Sequence, residues 1–556
     1  MYEFFSEIKT KMYTNSHSET LPLPAKSTKE RSPYVFYPFY ISSRNGVRKF
    51  VFLQIICDFN TQMKSHEIIG IDRPTFADNR TTQALLLIMV FAGALFLRLY
   101  HLEAKSLWND EMFSLRVAGS PVGAIQGILA AHYHHPPLFF YITHLFLKIF
   151  GENAWALRLP SAISGALTIP LLYAAGKKFF NVTSGFTCAI LCLAAPFHVA
   201  YSQEGRPYAL AGLLCLLSAY YFILCLRSYS AGRTAGFLLA TTALLYTHHW
   251  GLFVVAAEFL VCISIVVKDR SLLMRWILTF GVLAVCYLPE FIAFRQQVAA
   301  DSPAAWFWVE HPGFRTLLQL GTAFSGTFFR LASSSFVLPV WLQILSLLYV
   351  GSLIILALLD SLSTEHSISL LLLFLAAIII AIPLCVSFVK PEVFVWYRYP
   401  VIAFPLFCIA VGGMKTDSVL SRHRFLLIIL SVVINLIALN HYYGWEKGNA
   451  KEVAGYVQGI IHHDTDFIIR PKEFAPLFNY YYTGDVQQLD ETYLDQPLGD
   501  IVDTARSFIY ISLDVPNTIR DYMDGHFVRQ EEKVFPGEAH MGIVIGSYIQ
   551  KPESND

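Results

Sequence analysis

Two adjacent carboxylates, Asp110 and Glu111, stand between Trp108 and Phe113 in the run LWNDEMFS (107–114). A carboxylate beside large aromatic rings is partly desolvated. Desolvation raises its pKa toward the range in which it can act as a general base. The same run also suits a helix start, with Asn109 or Asp110 satisfying first-turn amides. Spacing alone leaves both readings open. Further on, His132, His134 and His135 precede Pro136-Pro137. Such a cluster can bind a metal or a phosphate, or can mark entry into a helix whose first turn tolerates proline. The run YSQEGRPY (201–208) sets Glu204 close to Arg206. The planar fork of an arginine binds phosphate oxygens in pairs, although a charge at a membrane edge can also simply snorkel. His248 and His249 beside Trp250, the stretch from Trp306 to His311, and the run through Glu392, Trp396, Tyr397, Arg398 and Tyr399 complete the set.

These residues have to be positioned by strongly apolar elements. The chain has 556 residues, of which 55% are hydrophobic and 15% charged, whereas soluble domains carry about 25% charge. The formal net charge is zero, so there is no electrostatic footprint for nucleic acid. Most of the cysteines, Cys188, Cys192, Cys215, Cys262 and Cys286 among them, lie inside apolar blocks and read as small core hydrophobes. No CxxC or Cys/His spacing of a structural zinc site is present.

The apolar blocks resolve into about eleven spans: 82–97, 159–175, 184–200, 208–226, 234–246, 252–267, 277–294, 336–359, 368–389, 396–413 and 425–439. Lys177 and Lys178, Arg227 and Arg233, Lys268, Arg270 and Arg275, and Lys415, Arg422 and Arg424 fall in alternate loops. The excess of Lys and Arg in cytoplasmic loops assigns those loops to the cytoplasm. The opposite loops, 98–158, 201–207, 247–251, 295–335 and 390–395, then face outward. They hold almost all of the polar residues named above. The apolar run LFFYITHLFLKIF (138–150) lies between Pro137 and Gly151 and is too short to span, so it is expected to lie on the outer surface.

Residues 1–81 read as a cytoplasmic N-terminal extension without the layout of a signal peptide. Met63 opens a basic-to-apolar run that resembles an ordinary membrane-protein start, so residues 1–62 are expected to be a disordered tail or a product of a misplaced gene start. Residues 444–556 read as a small soluble α/β domain on the outer face, with a helix at 450–461 and strands at 467–469, 508–512 and 543–548.

The stretches LWNDEMFS (107–114), HHPPLFFY (134–141), RLPSA (158–162), YSQEGRPYAL (201–210), YTHHWGLF (246–253) and RYPVIAFPLF (398–407) together resemble the GT-C superfamily of membrane glycosyltransferases. The resemblance is to the branch of protein O-mannosyltransferases and bacterial lipid A aminoarabinose and galacturonic acid transferases. It implies an all-α polytopic membrane protein with a transmembrane domain over 82–443 and a soluble α/β domain over 444–556. It also implies an inverting glycosyltransferase of the plasma (inner) membrane whose active site and C-terminal domain are extracytoplasmic. The donor would be a polyprenyl-phosphate sugar and the acceptor a lipid, glycan or protein. Asp110, then Glu111, match the catalytic acid of the first loop, and Glu204 matches the acid of the second. Arg206, Arg398 and Tyr397 would hold the donor phosphate. His134, His135, His248, His249 and His311 would meet substrate or metal, and the resemblance admits a divalent metal on His135 and His311, although His135 stands where relatives carry a carboxylate. The competing reading is a transporter or flippase, which usually places ionisable residues near the bilayer midplane. Here Glu258 is the main residue so placed.

Overall fold

The structure, a computed structural model, describes residues 79–132, 135–267, 270–300, 311–331, 334–361, 367–390, 393–413, 419–460, 465–469, 474–483, 507–513, 524–525, 527–535 and 543–550. The expectations for residues 1–78, and those for His134, Trp306, Trp308, Glu310 and Glu392, lie outside this set.

In chain order the helices of the apolar part are α1 (Arg80–Leu99), α2 (Asn109–Gly119), α3 (Val122–His132), α4 (Leu138–Phe150), α5 (Ala154–Phe179), α6 (Val182–Leu193), α7 (Pro196–Ser202), α8 (Tyr208–Arg227), α9 (Ala231–Leu245), α10 (Gly251–Val266) and α11 (Leu273–Ala300). After them come α12 (Phe314–Phe324), a hairpin of β1 (Phe328–Leu331) and β2 (Ser334–Val337), α13 (Val340–Ser361), α14 (Ser367–Val386), α15 (Phe404–Gly412) and α16 (Val419–Gly444). Crossing the hydrocarbon of a bilayer takes roughly 20 helical residues. Among the described residues 7 helices meet that length and are apolar enough, or 8 if the bent pair α6–α7 counts as one span. The chain is a multi-pass membrane protein. Side chains such as Leu85, Ile88, Met89 and Phe96 on α1, and Val285 and Ile292 on α11, stay exposed, as lipid-facing residues do.

Of the eleven expected spans, 234–246, 252–267 and 396–413 fall on α9, α10 and α15, which are shorter than a full span, 336–359 opens in β2 before α13, and two of the eleven are broken. The expected span 184–200 bends by 66° between α6 and α7. Pro196 opens α7 and has no amide to continue the helical ladder. The guanidinium of Arg98, fully buried on α1, donates to the carbonyls of Leu193 and Cys192 at 3.3 and 3.4 Å, covering acceptors that the break exposes. The expected span 396–413 begins instead with a 3-10 turn (Tyr399–Ile402), and α15 starts only at Phe404. Pro400 and Pro405 in this stretch lack the amides that would carry a helix back to Trp396. Arg398 is thereby left in a loop. The helix α4 covers the expected 138–150 and at 13 residues is about 20 Å long, short of a span.

Beyond α16 lie α17 (Ala450–Ile460), β3 (Thr465–Ile469), α18 (Ala475–Tyr481), β4 (Ser507–Leu513), β5 (Phe527–Phe535) and β6 (Ile543–Gln550). The sheet order is β3-β4-β6-β5, parallel between β3 and β4 and antiparallel elsewhere. Strand β5 was not foreseen. It is an edge strand, exposed from end to end except at Phe527 and Phe535, so it lacks the alternation that marks a half-buried strand. The core under this sheet continues into the membrane-proximal helices. Val453, Val457, Phe478, Ile509 and Ile545 share one apolar cluster with Leu107 and Leu115 of the first loop and Leu157 of α5. Two tail tyrosines fasten the contact. The Leu107 amide donates to Tyr481 Oη at 2.7 Å and the Ala154 amide to Tyr480 Oη at 3.0 Å.

The basic loops meet one another. Arg227 donates to the Lys178 carbonyl at 3.4 Å, and Tyr229 to the Arg275 carbonyl at 3.4 Å. The loops that carry the chemistry converge separately, on α2.

Candidate active site

The helix α2 starts at Asn109, and Trp108 at its N-cap makes no side-chain cap bond. Capping by Asp110 or Asn109, one of the two readings of LWNDEMFS, is therefore not what the carboxylates do. Adjacent helical residues point about 100° apart, and Asp110 and Glu111 meet different surroundings.

Glu111 is fully buried. Arg158 of α5 grips it in bidentate fashion, with Nε on Oε1 and Nη2 on Oε2, both at 2.8 Å. Lys447 Nζ lies 2.7 Å from Oε2, and the Gly205 amide donates to Oε1 at 2.8 Å. Burial alone would push this carboxyl upward. The charges of Arg158 and Lys447 and the hydrogen bonds outweigh it, and the pKa falls to about 2. Arg158 also donates to the carbonyls of Leu102, Lys105 and Ser106, so the pair fixes the whole approach to α2. Residue 205 must be small here, since a Cβ on Gly205 would fall 2.4 Å from Leu157 Cγ.

Asp110 faces the other way and its side chain keeps 28% of its exposure. Oδ2 lies 3.2 Å from Arg398 Nη1 and 3.8 Å from Arg206 Nη2. Arg206 donates to the Asp110 carbonyl at 3.1 Å and to Ser114 Oγ at 3.0 Å. Its Nη2 also meets His135 Nε2 at 2.7 Å, so that nitrogen acts as acceptor. Arg398 lies over the Trp108 ring at 4.8 Å and near the Tyr397 ring at 5.4 Å. Tyr397 itself is buried, and its carbonyl accepts from Tyr201.

His248 is buried beside this cluster, with ring centroids 5.8 Å from His135, 5.6 Å from Tyr208 and 5.2 Å from Tyr399. The Trp250 amide donates to His248 Nδ1 at 3.1 Å, which places the ring proton on Nε2. Burial, then the charges of His249 and Arg206, lower its pKa to about 3, so the ring is neutral. His249 rests on Phe294 of α11 at 4.5 Å, and His311 is exposed ahead of α12.

Glu204 is 1% exposed and neither of its oxygens makes a hydrogen bond among the described residues. Its ion pair is with Lys447, at 3.5 Å. Burial, reinforced by the Glu111 charge, raises its pKa against the pull of Lys447.

The structure thus gathers Asp110, Arg206, Arg398, His135 and His248 in one cluster and Glu111, Glu204 and Lys447 in a second beneath it. Arg158 and Lys447 were not singled out from their chemistry. Arg158 opens the resembling stretch RLPSA, which is a signal of pattern only, and nothing in the residues around Lys447 marks it. Two guanidiniums facing a half-open site form an anion receptor, and a carboxylate between them can hold a proton acceptor beside that anion. As for a metal, no three His, Cys, Asp or Glu side chains converge as ligands among the described residues. His135 has also committed Nε2 to Arg206. Among the described residues, His135 and His311 are not part of such a group.

Residues 134–309 match the family described as dolichyl-phosphate-mannose-protein mannosyltransferase. Two Bacillus subtilis proteins named as candidate mannosyltransferases, YycA and YkcB, are 27% and 21% identical over 150 and 154 residues. Each of these matches spans only 21% of the relative's own length. Among solved structures, ArnT from Cupriavidus metallidurans in the apo state is 13% identical, with a TM-score of 0.49, over 84% of this chain and 98% of that one. The same protein bound to undecaprenyl phosphate gives a TM-score of 0.48 over the same shares, at 13% identity. The resemblance to the GT-C superfamily of membrane glycosyltransferases that the sequence motifs carry is matched by the family and by these relatives.

Proposed function

We propose that this protein is a glycosyltransferase of the plasma membrane that moves a sugar from a polyprenyl-phosphate donor to an acceptor on the extracytoplasmic face. The observation that carries this reading is the placement of Asp110 between Arg206 and Arg398, while its neighbour Glu111 is wholly engaged by Arg158, Lys447 and Gly205. A departing polyprenyl phosphate needs its charge stabilised, and two guanidiniums supply that. In the absence of donor the Asp110 carboxylate occupies them. When a phosphate binds, it draws the guanidiniums toward itself, and Asp110 gains a lone pair for the acceptor hydroxyl. The hydroxyl loses its proton to Asp110 as its oxygen attacks the anomeric carbon. The bond from that carbon to the phosphate oxygen breaks, and the phosphate leaves with the electron pair. Glu204 and the Nε2–H of His248 offer an acceptor and a donor to sugar hydroxyls or phosphate oxygens, and Tyr397 orients Arg398.

The test is a transfer assay with radiolabelled polyprenyl-phosphate sugars in membranes that contain the full-length protein. Transfer to an endogenous lipid, glycan or protein, lost in Asp110→Asn, is the expected result. Movement of the lipid-linked sugar across the bilayer without glycosidic transfer would replace this reading with that of a flippase.

A further inference from the structure

The cluster beneath Asp110 includes a residue from a part of the chain that supplies none of the other site residues. Lys447 lies between α16 and α17, in the segment that leads into the C-terminal α/β region. It is 2% exposed and reaches Glu111 Oε2 at 2.7 Å and Glu204 Oε1 at 3.5 Å. Glu111 has other partners, whereas Lys447 is the one cation within ion-pair distance of Glu204 among the described residues. The first loop, the second loop and the entry to the tail therefore meet at a single ammonium.

Resting on the transfer reading above, we propose that Lys447 is a positioning residue of the active site: it ties the Glu204 carboxylate to Glu111, so that the first two outer loops hold Asp110 against Arg206 and Arg398. Two buried carboxylates without a cation between them cannot both stay ionised, and one takes a proton. The other groups that act on this pair are Arg158, Tyr442, Tyr480 and Tyr481, Tyr201 and Arg206 of the second loop, Tyr208 of α8, and Arg398 of the last loop. Of these, Arg158 is spent on Glu111, and Arg206 and Arg398 are turned to Asp110. Lys447 is the group left to hold Glu204 in its charged form. In this way docking of the C-terminal region becomes part of the geometry at Asp110.

The test uses the full-length protein and the pH profile of transfer. Lys447→Met should lower kcat by about 100-fold at neutral pH, the cost of a misplaced catalytic group. The loss should grow at alkaline pH, where Glu204 ionises beside Glu111 with no cation between them. Lys447→Arg should recover most of the rate, and in a Glu204→Gln background Lys447→Met should add little. A loss of equal size at every pH with no rescue by Lys447→Arg would reduce Lys447 to scaffold, and an unchanged rate and profile would remove it from the site. A second readout does not depend on activity. The drop in thermal midpoint caused by Lys447→Met should be largest at alkaline pH, shrink as pH falls, and be smaller in the Glu204→Gln background. A drop independent of pH overturns the proposal. If the unaltered protein transfers no sugar from any polyprenyl phosphate, the transfer reading fails, and this second measurement still decides whether Lys447 serves the charge of Glu204. Should Lys447→Met not fold, Lys447→Arg and the double variant Lys447→Met/Glu204→Gln carry the comparison.

Discussion

Arg398 Nη1 lies 3.2 Å from Asp110 Oδ2, although 288 residues separate them in the chain. The contact closes the site. Asp110 comes from the loop after α1 and Arg398 from the loop ahead of α15, and Arg206 of the loop ahead of α8 fills the space between. Arg398 is kept there by the break ahead of α15 and by the Trp108 ring under its guanidinium. If this pair of arginines receives the donor phosphate, Arg206→Ala and Arg398→Ala should each lower transfer by ~100-fold or more. Arg206→Lys keeps the charge without the paired geometry and should not restore the rate. The measurement is steady-state transfer from a polyprenyl-phosphate sugar, with expression checked by gel filtration in detergent. Unchanged kinetics in both alanine variants would move the phosphate site elsewhere.

Glu111 should reveal itself in stability. Its folded pKa of about 2 lies below the ordinary value of 4.5. A carboxyl depressed in the folded state contributes stability above the unfolded pKa, and that contribution is lost as pH falls through the folded pKa. The window is therefore about pH 4.5 down to 2, and its size is on the order of 3 kcal/mol. Glu111→Gln should flatten the acid side of the stability profile. It should also destabilise at neutral pH by about 3–5 kcal/mol, because Arg158 and Lys447 are left buried without their anion. Thermal unfolding across pH in detergent checks both. A variant as stable as the parent would mean that the pair is not formed.

Topology gives a separate expectation. Cysteine in place of Glu103, ahead of α2, should react with an impermeant thiol reagent in intact cells, and cysteine in place of Lys178, at the basic C-terminal end of α5, should be shielded. Labelling at 178 with protection at 103 would turn the active site to the cytoplasm and overturn the proposed side of transfer.

Much of this was legible in the sequence, for physical reasons that can be traced. The spans were visible because apolar side chains that face lipid and apolar side chains that face neighbouring helices add to the same signal. The breaks at Pro196 and Pro400 were not, because proline inside apolar stretches is compatible with an intact helix in some places, as Pro160 and Pro170 inside α5 show. The cluster at Asp110 was visible as polar residues that the apolar background could not account for. The choice between Asp110 and Glu111 was not, because it depends on Arg158 and Lys447 reaching one carboxylate across long stretches of chain. Lys447 itself sits in Gly-Trp-Glu-Lys-Gly, where neither period nor spacing sets it apart from a solvated lysine.

The decisive test concerns Asp110. An acceptor hydroxyl is a poor nucleophile until its proton is taken, and inversion requires the base to stand opposite the departing phosphate. Asp110 keeps partial exposure, faces both arginines, and leaves the burden of holding α2 to Glu111. Asp110→Asn preserves shape and hydrogen bonding to Arg398 while removing the base. It should lower kcat by at least ~100-fold. Because the asparagine carries no charge to compete for the arginines, binding of donor phosphate should be maintained or tightened. The thermal midpoint should fall less than in Glu111→Gln, since the Asp110 side chain keeps 28% of its exposure whereas Glu111 is fully buried. This pattern, activity lost with fold and donor binding kept, separates Asp110 from Glu111, whose substitution acts on the fold first. An Asp110→Asn protein that transfers sugar at the parent rate, in the same assay that shows Arg206→Ala to be inactive, would leave the phosphate site in place and remove Asp110 as the base.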